Sequence, residues 1–441
     1  MDTQALAGIM FLVLTVLLMA GFPVAFTLLG TSLVFGLLGF GWDFFNLLPL
    51  RVWGVMTNFT LLAVPLFVFM GVALERSGLA AELLETMSLL FGRLRGGLAI
   101  SVIIVGAILG ASTGIVGATV VTMGLLSLPT MLRKGYHPEL ATGTIAASGT
   151  LGQIIPPSIV LVLLGDIVGV PVGDLFIAAI VPGMLLVLLY IIYILIISRL
   201  KPEWAPVITK EEWAEVCGSC LVKRIFKALV PPLFLIILVL GSIFAGIASP
   251  TEAAAVGATG SLLLTIINRR FNMELLQQVM ATTTILTCMV FIILVGAGAF
   301  GLVFRGLGGD HLIRGYIEHI PYGKWGVLAI VMAIIFIVGF FLDFIEITFI
   351  HIPVLAPIML SLGFDPVWFS ILFAVNLQTS FMTPPFGFSL FYLKGVAPPE
   401  IDTMEIYKGI IPFVILQLLG LLAVIFFPQM TTWLPKVVFG P

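Results

Sequence analysis

Runs of about 20 mostly apolar residues, the length a helix needs to cross a bilayer, recur from Ala5 to Pro428 with short polar turns between them. Inside a membrane every backbone N–H and C=O must find an internal partner, which leaves only helices and closed barrels. These runs are long, carry internal Gly and Pro, and lack the alternation of a barrel strand. The expected fold class is an all-α integral membrane protein, a polytopic helical bundle. A content of 60% hydrophobic and 10% charged residues agrees, since soluble domains lie near about 45–50% and 25%.

Spans are expected at 5–21, 23–40, 61–75, 98–131, 174–198, 228–247, 252–267, 282–304, 325–360 and 409–427, part of a bundle of roughly ten to twelve crossings. Stretches 98–131 and 325–360 are too long for one span. Each holds an interruption, Gly110 to Gly114 (GASTG) and Gly339 to Asp343 (GFFLD), so both read as broken helices. Stretches 139–173 and 366–398 are divided by Pro156-Pro157 and Pro384-Pro385. A proline lacks the N–H, and it suits the first turn of a new helix, so each pair is expected at the tip of a re-entrant hairpin lining a cavity.

The two halves match. Pro129, Met131, Leu132, Gly135, Pro138, Ala146, Pro156 and Pro157 recur as Pro357, Met359, Leu360, Gly363, Pro366, Ala374, Pro384 and Pro385, each 228 positions on (357 less 129), an internal repeat. An odd number of crossings between the copies makes them inverted. The chain then divides into N-terminal scaffold helices (1–97), a first broken helix and hairpin (98–173), and connecting helices with a cytoplasmic loop at 199–227 (174–323). A second broken helix and hairpin (324–398) and a C-terminal helix and tail (399–441) complete it.

Charge adds an orientation. With Arg199 to Lys227 in the cytoplasm, Arg76, Arg93, Arg95, Arg269, Arg270, Lys394 and Lys408 fall there too, and Arg51, Arg133, Lys134, Arg305, Arg314, Lys324 and Lys436 fall outside. The inward excess is roughly two to one, which by the positive-inside rule puts both termini in the periplasm. The N-terminus lacks the basic segment of a cleavable leader and is read as the first helix. Cys217 and Cys220 have redox spacing without a βαβ context and are read as coincidental. Thr209 with Glu212, and Ser249 with Glu252, fit capping boxes. His137, His311, His319 and His351 have no metal spacing, and no phosphate loop, nucleophile elbow or zinc motif is present, so the chain is not read as an enzyme.

The run GASTG at Gly110, Pro129 with Met131, Gly152 to Pro157 (GQIIPP), Ser249 to Ala255 (SPTEAAA) and Thr383 to Gly387 (TPPFG) together resemble the large membrane subunit, of the DctM type, of tripartite ATP-independent periplasmic (TRAP) transporters. The resemblance covers nearly the whole chain. It implies sodium as coupling ion with no other cofactor, a separate small membrane subunit of four helices, a soluble periplasmic binding protein that delivers a small organic anion, and elevator transport in the bacterial inner membrane. Asp343 to Glu346 and Ser148 to Gly152 are similar to the branch associated with 2-oxo acids, mannitol or chloroaromatic compounds.

Sodium takes oxygen ligands, which carriers supply from unwound backbone. One ion is expected between the break, with Gly110, Ser112 and Thr113, and the tip, with Gly152, Ile155 and Pro157. A second is expected at Gly339, Ser380, Thr383 and Phe386. An anion between the tips would face helix N-termini with Thr150, Gln153, Ser158, Asn376, Gln378 and Thr379 in reach. Asp343, Glu346 and Asp166 are candidates for coupling, since ionisable groups within spans are functional suspects; a capping box at Asp343 and Glu346 is the structural alternative. A stand-alone sodium- or proton-coupled carboxylate symporter is the competing class.

Overall fold

A computed structural model describes residues 3–207, 218–317 and 322–440, without the side chains of residues 45, 112, 113, 218–223, 314, 316 and 317. Thr209, Glu212, Cys217 and His319, and the side chains of Ser112, Thr113, Cys220 and Arg314, lie outside the described residues. Among the described residues twenty α-helices follow one another: α1 (Thr3–Met19), α2 (Val24–Phe40), α3 (Phe44–Met56), α4 (Ala63–Arg76), α5 (Leu79–Leu90), α6 (Gly97–Thr113), α7 (Val116–Arg133), α8 (Pro138–Thr150), α9 (Ile159–Val168) and α10 (Val172–Leu200). Then come α11 (Gly218–Phe244), α12 (Pro250–Ile267), α13 (Met273–Gly306), α14 (Gly309–Ile317), α15 (Gly323–Val338), α16 (Phe344–Ser361), α17 (Pro366–Met382), α18 (Phe388–Val396), α19 (Thr403–Phe426) and α20 (Gln429–Phe439). Eight are long and apolar enough to cross a membrane, nine if α3 and α4, bent by 55° at their break, count as one. Helices that pass on length and composition are thus fewer than the expected ten to twelve crossings, because glycines and prolines cut several apolar stretches into shorter pieces.

The cuts also exchange two expected roles. Stretch 98–131 is not a broken helix but a hairpin: Gly114 ends α6 in the left-handed region at φ +63°, a conformation glycine adopts freely, and α7 turns back. The backbone N–H of Leu98, at the start of α6, donates to Tyr136 Oη just beyond α7, so both ends lie on one face. The second copy repeats this, with Trp325 at the start of α15 packed edge-on to Phe364 beyond α16.

The Pro-Pro segments, in turn, are the broken crossings. His137, before α8, donates its N–H to Trp204 O and stacks on the Trp204 ring, beside the end of α10. Gly165 O accepts from Val170 in the tight link between α9 and the start of α10. Since α10 has 29 residues, about 44 Å of helix, its ends lie on opposite faces, and α8 with α9 must cross between them. Helices of 13 and 10 residues joined end to end make one bilayer thickness, about 20 Å plus 15 Å. The proline pair starts a new helix in the same direction rather than reversing the chain. Likewise Trp368 Nε1 donates to Val424 O while Lys394 Nζ donates to Ile401 O, so α17 and α18 cross alongside α19.

The start of α8 packs against the start of α19 through Gly143 and Gly409, whereas α17 begins at the end of α19. The repeats are therefore inverted, as expected. They also extend further than the sequence match. Helices α2, α5, α7, α10 and α17 find counterparts about 228 positions away in or near α12, α14, α16, α19 and α8, and α3 with α4 corresponds to the single helix α13. Packing follows the same symmetry: α9 lies on α16 and α18 on α7, α2 on α13 and α4 on α12. Gln4, beside Gly308, and Phe439, beside Gly173, share one face. Arg133 and Lys134 sit next to His137 on the face of Arg199 and Lys201, not on the opposite one, because the α6–α7 hairpin returns the chain to its starting side.

Candidate functional site

The first hairpin tip presses directly on the first break. A Cβ built on Gly110 would stand 2.6 Å from Gly152 Cα and 2.7 Å from Gly152 N, a gap only two glycines allow. The Gly114 N–H closes on Gly110 O at 2.7 Å. Beyond α8 the chain makes one 3-10 turn, Leu151–Gln153, and Leu151 O accepts from both Ile154 and Ile155 at 3.1 Å. Ser158 Oγ, rather than capping α9, donates to Gln153 O at 2.8 Å. That frees the first N–H groups of α9, the positive end of the helix dipole. Gly152, Pro157 and Ser158 are buried and Ile155 is half-buried.

The second junction uses side chains for the same contact. Ser380, 228 positions after Gly152, packs on Gly339 and donates its hydroxyl to Phe336 O at 2.6 Å. Thr383 Oγ1 donates to Thr379 O at 2.8 Å, leaving the oxygen lone pairs for another partner. Ser389 Oγ donates to Phe381 O, the counterpart of Gln153 O, so a serine hydroxyl satisfies the same freed carbonyl in both copies. Tyr407 OH donates to Pro385 O at 2.7 Å. Phe386 is 58% exposed, with its ring 5.4 Å from Phe341 of the tip.

Between the junctions the copies meet each other. Gln378 Nε2 approaches Thr150 Oγ1 at 3.4 Å, a pair of residues 228 positions apart, so equivalent positions touch on the pseudo-twofold axis. Thr150 also contacts Met382 Sδ at 3.2 Å. The side-chain oxygens of Gln153 and Gln378 are buried without a hydrogen-bond partner among the described residues. Of the other expected anion contacts, Asn376 donates to Met332 O of α15 and Thr379 to Val375 O of its own helix. Sequence reasoning missed Met382, Tyr407, and the buried pair Tyr190 Oη and Gln417 Oε1 at 2.6 Å. Of these only Gln417, a polar residue inside a span, carried a signal.

The acidic candidates do not converge. Asp343 and Glu346 form a capping box that opens α16, while Asp166, on α9, takes a 2.6 Å bond from Asn58 Nδ2. Glu75, not singled out from sequence, accepts from Thr122 of α7 at 2.6 Å. Ser249 and Glu252 make the expected capping box. Among the described residues no group of three His, Cys, Asp or Glu side chains could hold a metal ion.

Residues 11–430 match the family model of the tripartite ATP-independent periplasmic transporter, DctM component. The C4-dicarboxylate TRAP transporter large permease protein DctM of Pseudomonas aeruginosa is 31% identical over 410 residues, 92% of this chain and 93% of that one. The ectoine/5-hydroxyectoine TRAP transporter large permease protein UehC of Ruegeria pomeroyi is 32% identical over 441 residues, 99% and 100% of the two chains. Among solved structures, the Alcanivorax borkumensis YdaH transporter shares the fold at a TM-score of 0.63 and 16% identity, over 96% of this chain and 99% of that chain. A family match over nearly the whole length, joined to inverted hairpins set against broken crossings, means that this multi-pass membrane protein belongs to the DctM family of TRAP transporter large permeases.

Proposed function

We propose that the chain is the permease of a sodium-coupled system that imports a small organic anion, such as a 2-oxo acid, across the bacterial inner membrane. A periplasmic binding protein delivers the anion and a small four-helix membrane subunit completes the permease. The observation that carries this reading is the junction of glycine tip and unwound break, present twice and related through the contact of Thr150 with Gln378. Each junction gathers backbone oxygens suited to a hard monovalent cation. Sodium would lie by Gly110, Gly152, Ile155 and Pro157 in one and by Gly339, Ser380, Thr383 and Phe386 in the other. The anion would face the N-termini of α9 and α18, with Thr150, Gln153 and Gln378 adding hydrogen bonds. Segments 98–173 and 324–398 would move together against the remaining helices as an elevator. The named relatives carry C4-dicarboxylates and ectoines, so the cargo is set by side chains that differ within one architecture.

Proteoliposomes holding this chain, its small partner and the binding protein should accumulate the anion only under an inward sodium gradient. Equal uptake with potassium in place of sodium would overturn the coupling. We place the face bearing Arg199, Lys201, Arg133 and Lys134 in the cytoplasm, following the positive-inside rule. A cysteine introduced at Thr209 should then react in intact cells with membrane-permeant thiol reagents only, once Cys217, Cys220 and Cys288 are replaced; labelling by an impermeant reagent reverses the orientation.

A further inference from the structure

Away from both junctions, on the face that bears the two termini, a cavity of about 260 Å³ opens between α3, α9, α13 and α16. Its floor includes Gly298 and Gly301 of α13, and a Cβ built on either would meet nothing within 4 Å. These glycines border open space rather than a packed neighbour. The walls carry Arg51 of α3, Arg305 of α13 and Asp166 of α9. Asp166 is engaged by Asn58, and Arg305 has spent one donor on Pro353 O at 3.0 Å. Among the described residues neither arginine has a carboxylate within 4.0 Å. Two guanidinium side chains and one carboxylate thus line a single recess, a net positive lining of the kind that concentrates anions. Guanidinium matches the planar, two-oxygen edge of an acid group. The volume lies below the range of about 300–1,000 Å³ for drug-sized ligands, so a small acid fits. Asp166 on the same wall disfavours a second carboxylate.

We propose that this cavity is a receiving site for a small monoanionic organic acid, whose carboxylate or sulfonate bridges Arg51 and Arg305 without needing sodium. Its place as a stop before the junctions rests on the transport reading above; the binding itself does not.

The test is titration calorimetry on the purified chain in lipid nanodiscs, in potassium buffer, with pyruvate, isethionate and succinate as probes. Pyruvate or isethionate should bind, with succinate about tenfold weaker or more. Arg51→Gln and Arg305→Gln should each weaken the bound monoanion about tenfold or more, Arg51→Lys less than Arg51→Gln, and Lys324→Gln, on the same face but outside the cavity, not at all. Gly301→Leu, which fills the floor and keeps both arginines, should abolish binding and guards against a folding defect in the arginine variants. Absence of binding by both monoanions in potassium, or unchanged affinity in both Gln variants, overturns the proposal. Failure of sodium-driven uptake would strike the transport reading and leave this titration untouched.

Discussion

The two junctions share a topology and differ in how they are closed. In the first, backbone lies on backbone at Gly110 and Gly152, and residues 151–158 are buried apart from half-buried Ile155. In the second, Ser380 stands where the first has Gly152, and Pro385 and Phe386 are exposed. The first contact depends on the absence of side chains. The second is built from them, through the hydroxyls of Ser380 and Tyr407. One inverted design can therefore be held shut by close approach in one half and by replaceable hydrogen bonds in the other.

This contrast breaks most readily at the glycines. Gly110→Ala drives a methyl into the backbone of Gly152, which cannot rotate away, and should cost about 1–3 kcal/mol, the range for an overpacked core. Gly339→Ala meets the side chain of Ser380 and should cost less; adding Ser380→Gly should restore it. Denaturation of the purified protein decides, and equal losses at the two glycines would end the comparison. Next in size, Thr383→Val removes an oxygen with lone pairs still available. The loss of a buried polar partner, about 1–3 kcal/mol, would raise the sodium concentration for half-activation by roughly five- to a hundredfold. An unchanged activation curve would leave carbonyls alone as ligands at the open junction. The smallest effect belongs outside both junctions. Ser249→Ala, which deletes an N-cap, should lower the yield of folded protein while leaving the sodium curve in place; a shifted curve would tie this cap to the ion.

Much of this was legible in the sequence because period and punctuation carry it. Apolar runs gave the bundle, and the 228-residue spacing of prolines and glycines gave two copies. Which segment turns back and which crosses was not legible. A glycine break and a proline break both read as interruptions, and only contacts such as Leu98 with Tyr136 show where the chain ends up. The wider repeat was hidden because helices tolerate free exchange among apolar residues. In addition, one half spends two bent helices, α3 and α4, where the other uses the single 34-residue α13. Site residues were chosen by polarity, which finds Gln378 and Thr150. It cannot see that Asn376 and Ser380 turn toward carbonyls of α15, nor that Met382 and Tyr407 reach the breaks, because those are facts of approach between distant segments.

The contact on the pseudo-twofold axis has a consequence for how such a molecule can change over generations. In a symmetric dimer of two identical chains, a residue on the axis meets its own copy and must serve as its own complement. Here both copies lie in one chain, and the axis holds a hydroxyl on one side and an amide on the other, Thr150 and Gln378. Fusion releases that position from self-complementarity. A substitution on one side can be answered by an unlike residue opposite, so the centre of the molecule can become asymmetric while the two outer shells keep their common architecture.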